Sequence, residues 1–194
     1  IGAVKNLQAL QEIIFPVRCV GCRSLGLTIC SECRRDWHPH IYRQWLHDVP
    51  PIPIYSAVPY SSMAGKILFA AKENGIISAD QLLVHAMAHS LKYFLQEHGG
   101  DFFIPIPSRR SVTRKRGRQF VSFLSEELSA LTGLAVAHNL IHVKKVKDQS
   151  SLDAIDREQN IHRSFRSKNF LSGRAIIIDD LVTTGATIRE SVRA

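Results

Sequence analysis

Residues 175–187 constrain the fold of this chain more than any other segment. The segment opens with the apolar run Ala-Ile-Ile-Ile, which predicts a strand buried on both faces, as in a parallel sheet covered by helices. The run ends at two adjacent carboxylates, Asp179 and Asp180, and a loop rich in hydroxyl groups follows. A helix is predicted to begin near Thr187. The sequence therefore predicts an α/β fold in which a strand, a loop and a helix N-terminus follow one another.

The loop after the acidic pair has the composition of an anion-binding site. The free N–H groups of a helix's first turn and the helix dipole both favour a phosphate in such a loop. Thr183, Thr184 and Thr187 add hydroxyl donors, and Gly185 allows a ligand to approach the backbone closely. The loop has neither the lysine of a Walker loop nor the G-x-G-x-x-G pattern of a dinucleotide-binding loop.

The two carboxylates beside this anion site need ligand groups of a different kind. Asp179 and Asp180 would repel a phosphate, so we expect them to face ribose hydroxyls, which need acceptors, or a divalent cation. A phosphorylated ribose would satisfy both halves of the segment. The alternative interpretation is a buried strand followed by a capped helix, with both aspartates solvated.

The cysteines form two C-x-x-C pairs separated by seven residues, and these are all the cysteines of the chain: Cys19, Cys22, Cys30 and Cys33. Two such pairs can supply the tetrahedral four-thiolate shell of a structural Zn²⁺ site. Such a closed shell leaves no position for a reactive water, so the metal is expected to stabilise the fold. A disulfide is one alternative, and replacement of one thiolate by His38 or His40 is another.

A second apolar strand is predicted over residues 102–107, and it leads into Ser108 and a basic run. Residues 109–118 contain six basic residues and no acid: Arg109, Arg110, Arg114, Lys115, Arg116 and Arg118. The carboxyl ends of neighbouring parallel strands meet at one edge of a sheet, so this segment is expected beside Asp179 if the two strands are neighbours. It is predicted to be a mobile loop that closes over a pyrophosphate. A solvated surface is the alternative, and contact with nucleic acid is compatible with either.

The rest of the chain divides into a small N-terminal part, residues 1–49, and a main domain, residues 50–194. Pro50, Pro51 and Pro53 mark this boundary, inside a linker predicted over residues 39–59. Hydrophobic periodicity predicts helices over residues 4–14, 63–72, 79–97 and 119–131, and strands over residues 52–58 and 134–143.

The overall charge and hydropathy indicate the kind of partner and compartment. A net charge of +8 favours polyanionic partners, either a phosphorylated substrate or nucleic acid. The cluster Lys144, Lys145 and Lys147 extends the basic surface and leads us to expect single-stranded DNA as a partner, bound through its phosphates. The apolar runs are shorter than a membrane span and the start has no signal-peptide pattern, so we expect a cytoplasmic protein.

Residues 175–187 resemble the phosphoribosyl pyrophosphate (PRPP) motif of type I phosphoribosyltransferases. The ordered set of motifs from residue 16 to residue 187 resembles the ComF family, which is associated with competence for DNA uptake. The set comprises the cysteine pairs, Ile-Pro-Ile-Pro leading into the basic run, the PRPP motif, and a polar pattern formed by Gln149, Leu152, Arg157, Asn160 and Phe165. The chain departs from the family pattern after Gly117, where Arg118, Gln119 and Phe120 replace an aromatic residue, Asn and Gln.

This resemblance implies a type I phosphoribosyltransferase fold, a mostly parallel sheet of about five strands flanked by helices. It implies PRPP and Mg²⁺ as ligands, phosphoribosyl transfer with release of pyrophosphate, and protein partners in the competence machinery. A further strand is expected after the motif helix. The alternative is a non-catalytic module that binds PRPP or single-stranded DNA, and no residue is an evident general base.

The resemblance also assigns residues to ligand groups. Asp179 and Asp180 would hold the ribose hydroxyls or the Mg²⁺ shell. The 5′-phosphate would be bound by the loop formed by Thr183, Thr184, Gly185, Ala186 and Thr187. The pyrophosphate would be bound by Ser108, Arg109, Arg110, Lys115 and Arg116.

Overall fold

A computed structural model describes residues 17–144 and 161–194. The helices are α1 (Ser31–Asp36), α2 (Ser62–Lys72), α3 (Ile77–His98), α4 (Arg110–Arg116), α5 (Phe120–Thr132) and α6 (Ala186–Arg193). The strands are β1 (Tyr42–Leu46), β2 (Ile52–Ser56), β3 (Phe102–Pro105), β4 (Ala135–Val136), β5 (Leu140–His142), β6 (Phe165–Ser167) and β7 (Ala175–Ile178). The helix predicted over residues 4–14, the polar pattern over residues 149–160, and Lys145 and Lys147 lie outside the described residues.

The central sheet is parallel and has the strand order β4-β3-β7. Its register places Phe102 opposite Ala175 and Pro105 opposite Ile178. The fully buried Phe103 packs with Leu128 of α5 and Ile176 of β7, so helices cover the sheet. The predicted α/β class with a parallel sheet flanked by helices is confirmed. In the described part of the chain the sheet has three strands, fewer than the five expected.

The difference arises partly at Asn139, where the strand predicted over residues 134–143 breaks in two. The Asn139 N–H donates to the Ala137 carbonyl at 2.7 Å, which turns the chain out of the parallel sheet after β4. The Asn139 side chain makes two hydrogen bonds to the Asn169 backbone. Its Oδ1 accepts from the Asn169 N–H at 3.1 Å, and its Nδ2 donates to the Asn169 carbonyl at 2.9 Å. These contacts direct β5 into an antiparallel pair with β6.

The predicted linker over residues 39–59 is instead a β-hairpin. Strands β1 and β2 pair antiparallel, with Tyr42 opposite Ser56 and Leu46 opposite Ile52. Pro53 is tolerated because β2 has one strand neighbour among the described strands, so its missing N–H leaves no ladder bond broken. The boundary expected between residues 49 and 50 lies in the turn of this hairpin. Proline content indicated a linker, whereas β2 falls within the strand predicted over residues 52–58 and pairs with β1.

The basic run is also different from the prediction, because most of it is helical. Helix α4 runs from Arg110 to Arg116 and ends at Gly117, whose φ of 74° is left-handed. The Gly117 N–H donates to the Thr113 carbonyl at 2.9 Å, which caps the helix end. Arginine and lysine have high helix propensity, so the residues that suggested a loop by their charge favour a helix by their backbone preference.

Helix α6 is attached to strand β6 by one buried carboxylate. Glu190, 4% exposed, accepts from the Phe165 N–H at 3.1 Å and from the Arg193 guanidinium at 2.7 and 2.8 Å. Burial alone would raise the pKa of Glu190, but the Arg193 guanidinium and the Phe165 and Arg163 N–H groups hold that pKa at about 2. The charged form of Glu190 therefore stabilises the folded state.

We expect Glu190→Gln to lower the free energy of unfolding by about 2 kcal/mol at pH 7, the usual loss for a hydrogen bond to a charged group. The pKa of Glu190 is lower in the folded state than in the unfolded state. The difference in free energy of unfolding between the two proteins should therefore be complete above about pH 4.5 and shrink as the pH falls towards about 2. Urea unfolding of both proteins from pH 7 to pH 2.5 measures it. Glu127→Gln, at an exposed position of α5, is the control, and a difference constant with pH would contradict the account.

Within residues 17–144 and 161–194, no helix is both long and apolar enough to cross a membrane.

Candidate functional site

The carboxyl ends of β3 and β7 open into a pocket of about 400 Å³. The strands stay paired to their ends, where the Ile106 N–H donates to the Ile178 carbonyl at 3.0 Å. The pocket is lined by residues 179–187 on one side and by Ser108, Arg109 and Arg116 on the other. Two segments separated by about 70 residues in the sequence thus line the same pocket. Arg110 and Lys115 lie in α4, of which only the backbone is described at these two positions.

The loop between β7 and α6 is shaped by Gly185 and braced by the hairpin. Gly185 has a φ of 77°, and a Cβ there would lie 2.6 Å from Leu46 Cδ2 of β1. The Ala186 N–H donates to Thr184 Oγ1 at 3.4 Å. A larger residue at position 185 would collide with the hairpin as well as strain the backbone. The first residues of α6 line the pocket, a position at which a helix N-terminus favours an anion.

The two aspartates differ in their surroundings. Asp180 is 7% exposed and accepts a hydrogen bond from Lys72 Nζ of α2. Asp179 Oδ1 accepts from the Asp180 N–H at 2.9 Å. Burial, and then the charge of Asp180, raise the pKa of Asp179 well above its usual range, although the Asp180 N–H and the Lys72 charge oppose this. A cation or hydroxyl donor bound beside Asp179 would relieve that repulsion.

Helix α2 contributes a pair of residues that the sequence interpretation missed. Lys72 is the last residue of α2, and Glu73 follows it. Glu73 binds the Arg116 guanidinium through both carboxylate oxygens, with Nε at 3.0 Å from Oε2. Lys72 and Asp180 are 108 positions apart, so no local pattern connects them. The signal available in the sequence was a charged pair at the end of an amphipathic helix.

Arg118 is a structural residue rather than a ligand-binding one. Its guanidinium donates to both Asp80 oxygens at 2.8 Å and to the Ala71 carbonyl at 2.6 Å. It also lies over the Phe120 and Phe123 rings, at 5.1 and 4.7 Å from their centroids. Arg118, one of the residues at which the chain departs from the family pattern, therefore connects helices α2, α3 and α5.

His142 is a further pocket residue that the sequence interpretation missed. Its Nε2 lies 2.9 Å from the Pro107 carbonyl, and its Nδ1 is buried with no hydrogen-bond partner among the described residues. Burial, and then the charge of Arg109, lower the pKa of His142, although the Pro107 carbonyl opposes this. A neutral ring that donates through Nε2 fits this position, and it fixes the turn leading to Ser108.

A second cavity, of about 350 Å³, reaches Asp179 and Asp180 from the other side. It lies between the hairpin strand β2, helix α3 and strand β7. Its walls are mostly apolar and include Leu83, Met87 and Phe94. The aspartates thus stand between a polar pocket and an apolar one.

The four cysteines form a compact cluster. Their Sγ atoms all lie within 4.8 Å of one another, and Cys22 Sγ and Cys30 Sγ are 3.6 Å apart. Tetrahedral zinc with bonds of about 2.3 Å requires Sγ separations of about 3.8 Å, so the cluster fits a metal such as Zn²⁺. The cysteines are free thiols, and His38 and His40 are exposed outside the cluster. Burial raises the pKa of Cys19, but the backbone N–H groups of Cys22 and Cys30 lower it by more. The resulting pKa of about 6 favours the thiolate form of Cys19.

Comparison with known proteins found similarity to competence protein F of Haemophilus influenzae, strain ATCC 51907 / DSM 11121 / KW20 / Rd. The two sequences are 35% identical over 95 residues, which are 46% of this chain and 42% of that protein. No protein-family model and no solved structure matches the chain. With the parallel α/β sheet and the cysteine cluster in place, this similarity confirms the resemblance to the ComF family.

Proposed function

We propose that the chain binds PRPP with Mg²⁺ in the pocket of about 400 Å³ and transfers its phosphoribosyl group with release of pyrophosphate. One observation carries the proposal. The loop suited to a sugar phosphate, the segment suited to a pyrophosphate and the acidic pair all line one pocket. The link to competence rests on the name of the relative, and the links to DNA uptake and to protein partners rest on the resemblance to the ComF family.

Each part of the pocket suits one part of PRPP. The N-terminus of α6 and the hydroxyls of Thr183, Thr184 and Thr187 would bind the 5′-phosphate. Asp179 and Asp180 offer the carboxylate oxygens that ribose hydroxyls and Mg²⁺ both accept. Ser108, Arg109 and helix α4 would bind the pyrophosphate.

The chemistry in such a pocket is mainly positioning and charge stabilisation. The bond between ribose C1 and the pyrophosphate oxygen breaks, the pyrophosphate leaves with the bonding electrons, and C1 becomes cationic before the acceptor attacks. Bound Mg²⁺ would neutralise part of the charge of the leaving pyrophosphate. The cations of the pocket contribute in the same way, since their attraction grows as negative charge develops on the leaving group.

The apolar cavity of about 350 Å³ supports a flat acceptor with a large apolar face. It meets the polar pocket at Asp179 and Asp180, where C1 of a bound ribose would lie. A nucleobase has the size and surface for this cavity, whereas a charged sugar would lose its hydration there without replacement hydrogen bonds.

Pyrophosphate release on mixing the protein with PRPP, Mg²⁺ and a panel of nucleobases tests the proposal. We expect release with at least one acceptor. Saturable PRPP binding without release from any acceptor would support the non-catalytic module. Absence of PRPP binding by a folded, zinc-loaded protein would refute both.

A second candidate function, binding of single-stranded DNA, is favoured by another surface. In the basic run, Arg116 and Arg118 are paired with Glu73 and Asp80, so this run offers less free charge than the sequence suggested. We infer instead a surface where the cysteine cluster meets α2, lined by Tyr60, Phe69, Lys66 and Arg23, with no carboxylate among its lining residues. Tyr60 and Phe69 are 72% and 60% exposed.

The ring of Tyr60 lies against α2 where Gly65 has no side chain, since a Cβ there would be 3.1 Å from the Tyr60 hydroxyl. Phe69 is one helical turn beyond Gly65, about 6 Å along the axis. Two exposed rings beside cations on one surface suit the stacking of bases.

We expect labelled single-stranded DNA to bind at low salt and to dissociate steeply as salt rises, because phosphate contacts release counterions. Tyr60→Ala and Phe69→Ala should each weaken binding about 10-fold, and Phe170→Ala, at an aromatic residue 94% exposed elsewhere, should not. PRPP should leave DNA binding unchanged, since the surfaces are separate. A fluorescence titration decides this: no binding at low salt removes the candidate function, and binding insensitive to salt removes its mechanism.

A further inference from the structure

The end of helix α2 reaches the candidate pocket from the side of the cysteine cluster. The buried face of α2, including Met63 and Ile67, packs in the same core as Cys33. Its last residue, Lys72, contacts Asp180 and lines the pocket with Ser108 and Arg109. A helix that belongs to the N-terminal core therefore places a cation inside the pocket.

The Lys72–Asp180 pair is poorly solvated on both sides. The Lys72 side chain is 24% exposed and the Asp180 side chain is 7% exposed. Removing either partner from such a pair leaves a charge with little water, which is unfavourable unless another group of opposite sign arrives. A ligand that brings its own donors or cation to Asp180 would supply such a group, and would leave the ammonium of Lys72 in need of an anion.

Groups suited to an anion line the same pocket as Lys72. Glu73, next to Lys72, binds Arg116, so the end of α2 is already tied to helix α4. Ser108 and Arg109 line this pocket as well. The lysine ammonium is a compact charge on a flexible four-carbon stem, so a change of side-chain rotamer can turn it away from Asp180 within the pocket.

We propose that Lys72 is a pyrophosphate-binding residue of this site, an inference that rests on the proposed function. In the empty site Lys72 neutralises Asp180. When ribose hydroxyls or Mg²⁺ occupy Asp180, the ammonium of Lys72 binds the pyrophosphate oxygens and stabilises their charge as the bond to C1 breaks. The ion pair thus keeps a cation in the pocket until the substrate releases it.

A double-mutant cycle separates this role from simple pairing with Asp180. The key comparison is between the Asp180→Asn variant and the Asp180→Asn, Lys72→Met double variant. Neither protein has a carboxylate at position 180, so any difference between them does not come from neutralisation of Asp180 by Lys72. Calorimetric titrations use inorganic pyrophosphate with Mg²⁺, ribose 5-phosphate, and PRPP as probes. Lys92→Met, on an exposed position of α3, is the control, and thermal melting checks that each variant is folded.

We expect Lys72→Met to weaken pyrophosphate binding about 10-fold to 100-fold in both backgrounds, the range for loss of one charged contact. Ribose 5-phosphate affinity should change by less than about 2-fold in the Asp180→Asn background, because that ligand lacks the pyrophosphate. Lys72→Arg should recover part of the pyrophosphate affinity.

Equal pyrophosphate affinity in Asp180→Asn and in the double variant would overturn the inference, because Lys72 would then act only through Asp180. Equal losses for pyrophosphate and ribose 5-phosphate would also overturn it, since they indicate a general change of the pocket. If the wild-type protein binds neither PRPP nor pyrophosphate, the proposed function fails, and this inference fails with it.

Discussion

Replacement of Cys33 with serine is expected to release the metal from the cysteine cluster and to lower the free energy of unfolding by at least about 5 kcal/mol. Zinc binding to small four-ligand sites contributes about 10 kcal/mol or more to folding, and the rest of this core retains part of the structure. Cys33 is 6% exposed and packs in the core that contains Trp37 and α2. The packing is close: a Cβ at Gly21 would lie 2.7 Å from both Cys33 Sγ and Met63 Sδ.

The loss should extend from the cluster to the candidate pocket. Helix α2 packs on the cluster at one end and carries Lys72 at the other, so loosening α2 is expected to weaken PRPP binding as well. Elemental analysis, melting temperature and hydrogen exchange of α2 measure these effects. Ser24→Ala, which removes a hydroxyl 3.1 Å from Cys22 Sγ and keeps all four thiolates, is the control. Wild-type protein without zinc, or Cys33→Ser protein with full zinc content, would contradict the assignment.

Replacement of both aspartates, Asp179→Asn and Asp180→Asn, is expected to weaken PRPP binding at least about 100-fold. Two charged acceptors of hydroxyl groups are lost, each worth about 1.5 kcal/mol or more, together with the anionic anchor for Mg²⁺. Asparagine has the shape of aspartate and retains an oxygen that can accept from the backbone N–H at position 180. Asp180→Asn also removes the partner of Lys72, so thermal melting must show that the double variant is folded before its affinity is compared.

The single change Asp179→Asn is expected to make the unliganded protein more stable at neutral pH. The pKa of Asp179 is raised in the folded state, so folding favours its protonated form. The free energy of unfolding of the wild-type protein, relative to that of the variant, therefore falls as the pH rises from the unfolded pKa of Asp179, about 3.9, to its folded pKa. Below about pH 3 the two free energies of unfolding should be equal. Urea unfolding without added Mg²⁺, from pH 3 to pH 8, measures this, and a variant less stable at pH 8 would refute it.

Local patterns in the sequence predicted the elements that depend on local interactions. The three long helices α2, α3 and α5 begin and end within two residues of their predicted limits, because each has a continuous apolar face. The cysteine cluster and the strand leading to Asp179 were predicted for the same reason, since spacing alone defines them. The rule that parallel strands present their loops at one edge placed residues 108–110 beside Asp179 on the condition that β3 and β7 are neighbours, and they are paired in the structure.

Other parts of the site depend on contacts between distant segments, and the sequence does not encode these locally. The pairing of Lys72 with Asp180 requires α2 to end at the pocket, which packing against the cysteine cluster decides. Leu46 braces Gly185 only because the proline-rich segment folds as a hairpin. The charge of residues 109–118 suggested a loop, whereas their helix propensity and the cap at Gly117 decided the structure.

Calorimetric titration of PRPP with Mg²⁺ into the zinc-loaded protein, repeated with the Asp179→Asn, Asp180→Asn double variant, measures whether PRPP binds at the acidic pair. We predict saturable binding of one PRPP per chain to the wild-type protein and an affinity at least about 100-fold lower for a double variant that melts as a folded protein. Equal affinity of the two proteins for PRPP, or no binding by the folded wild-type protein, would contradict it.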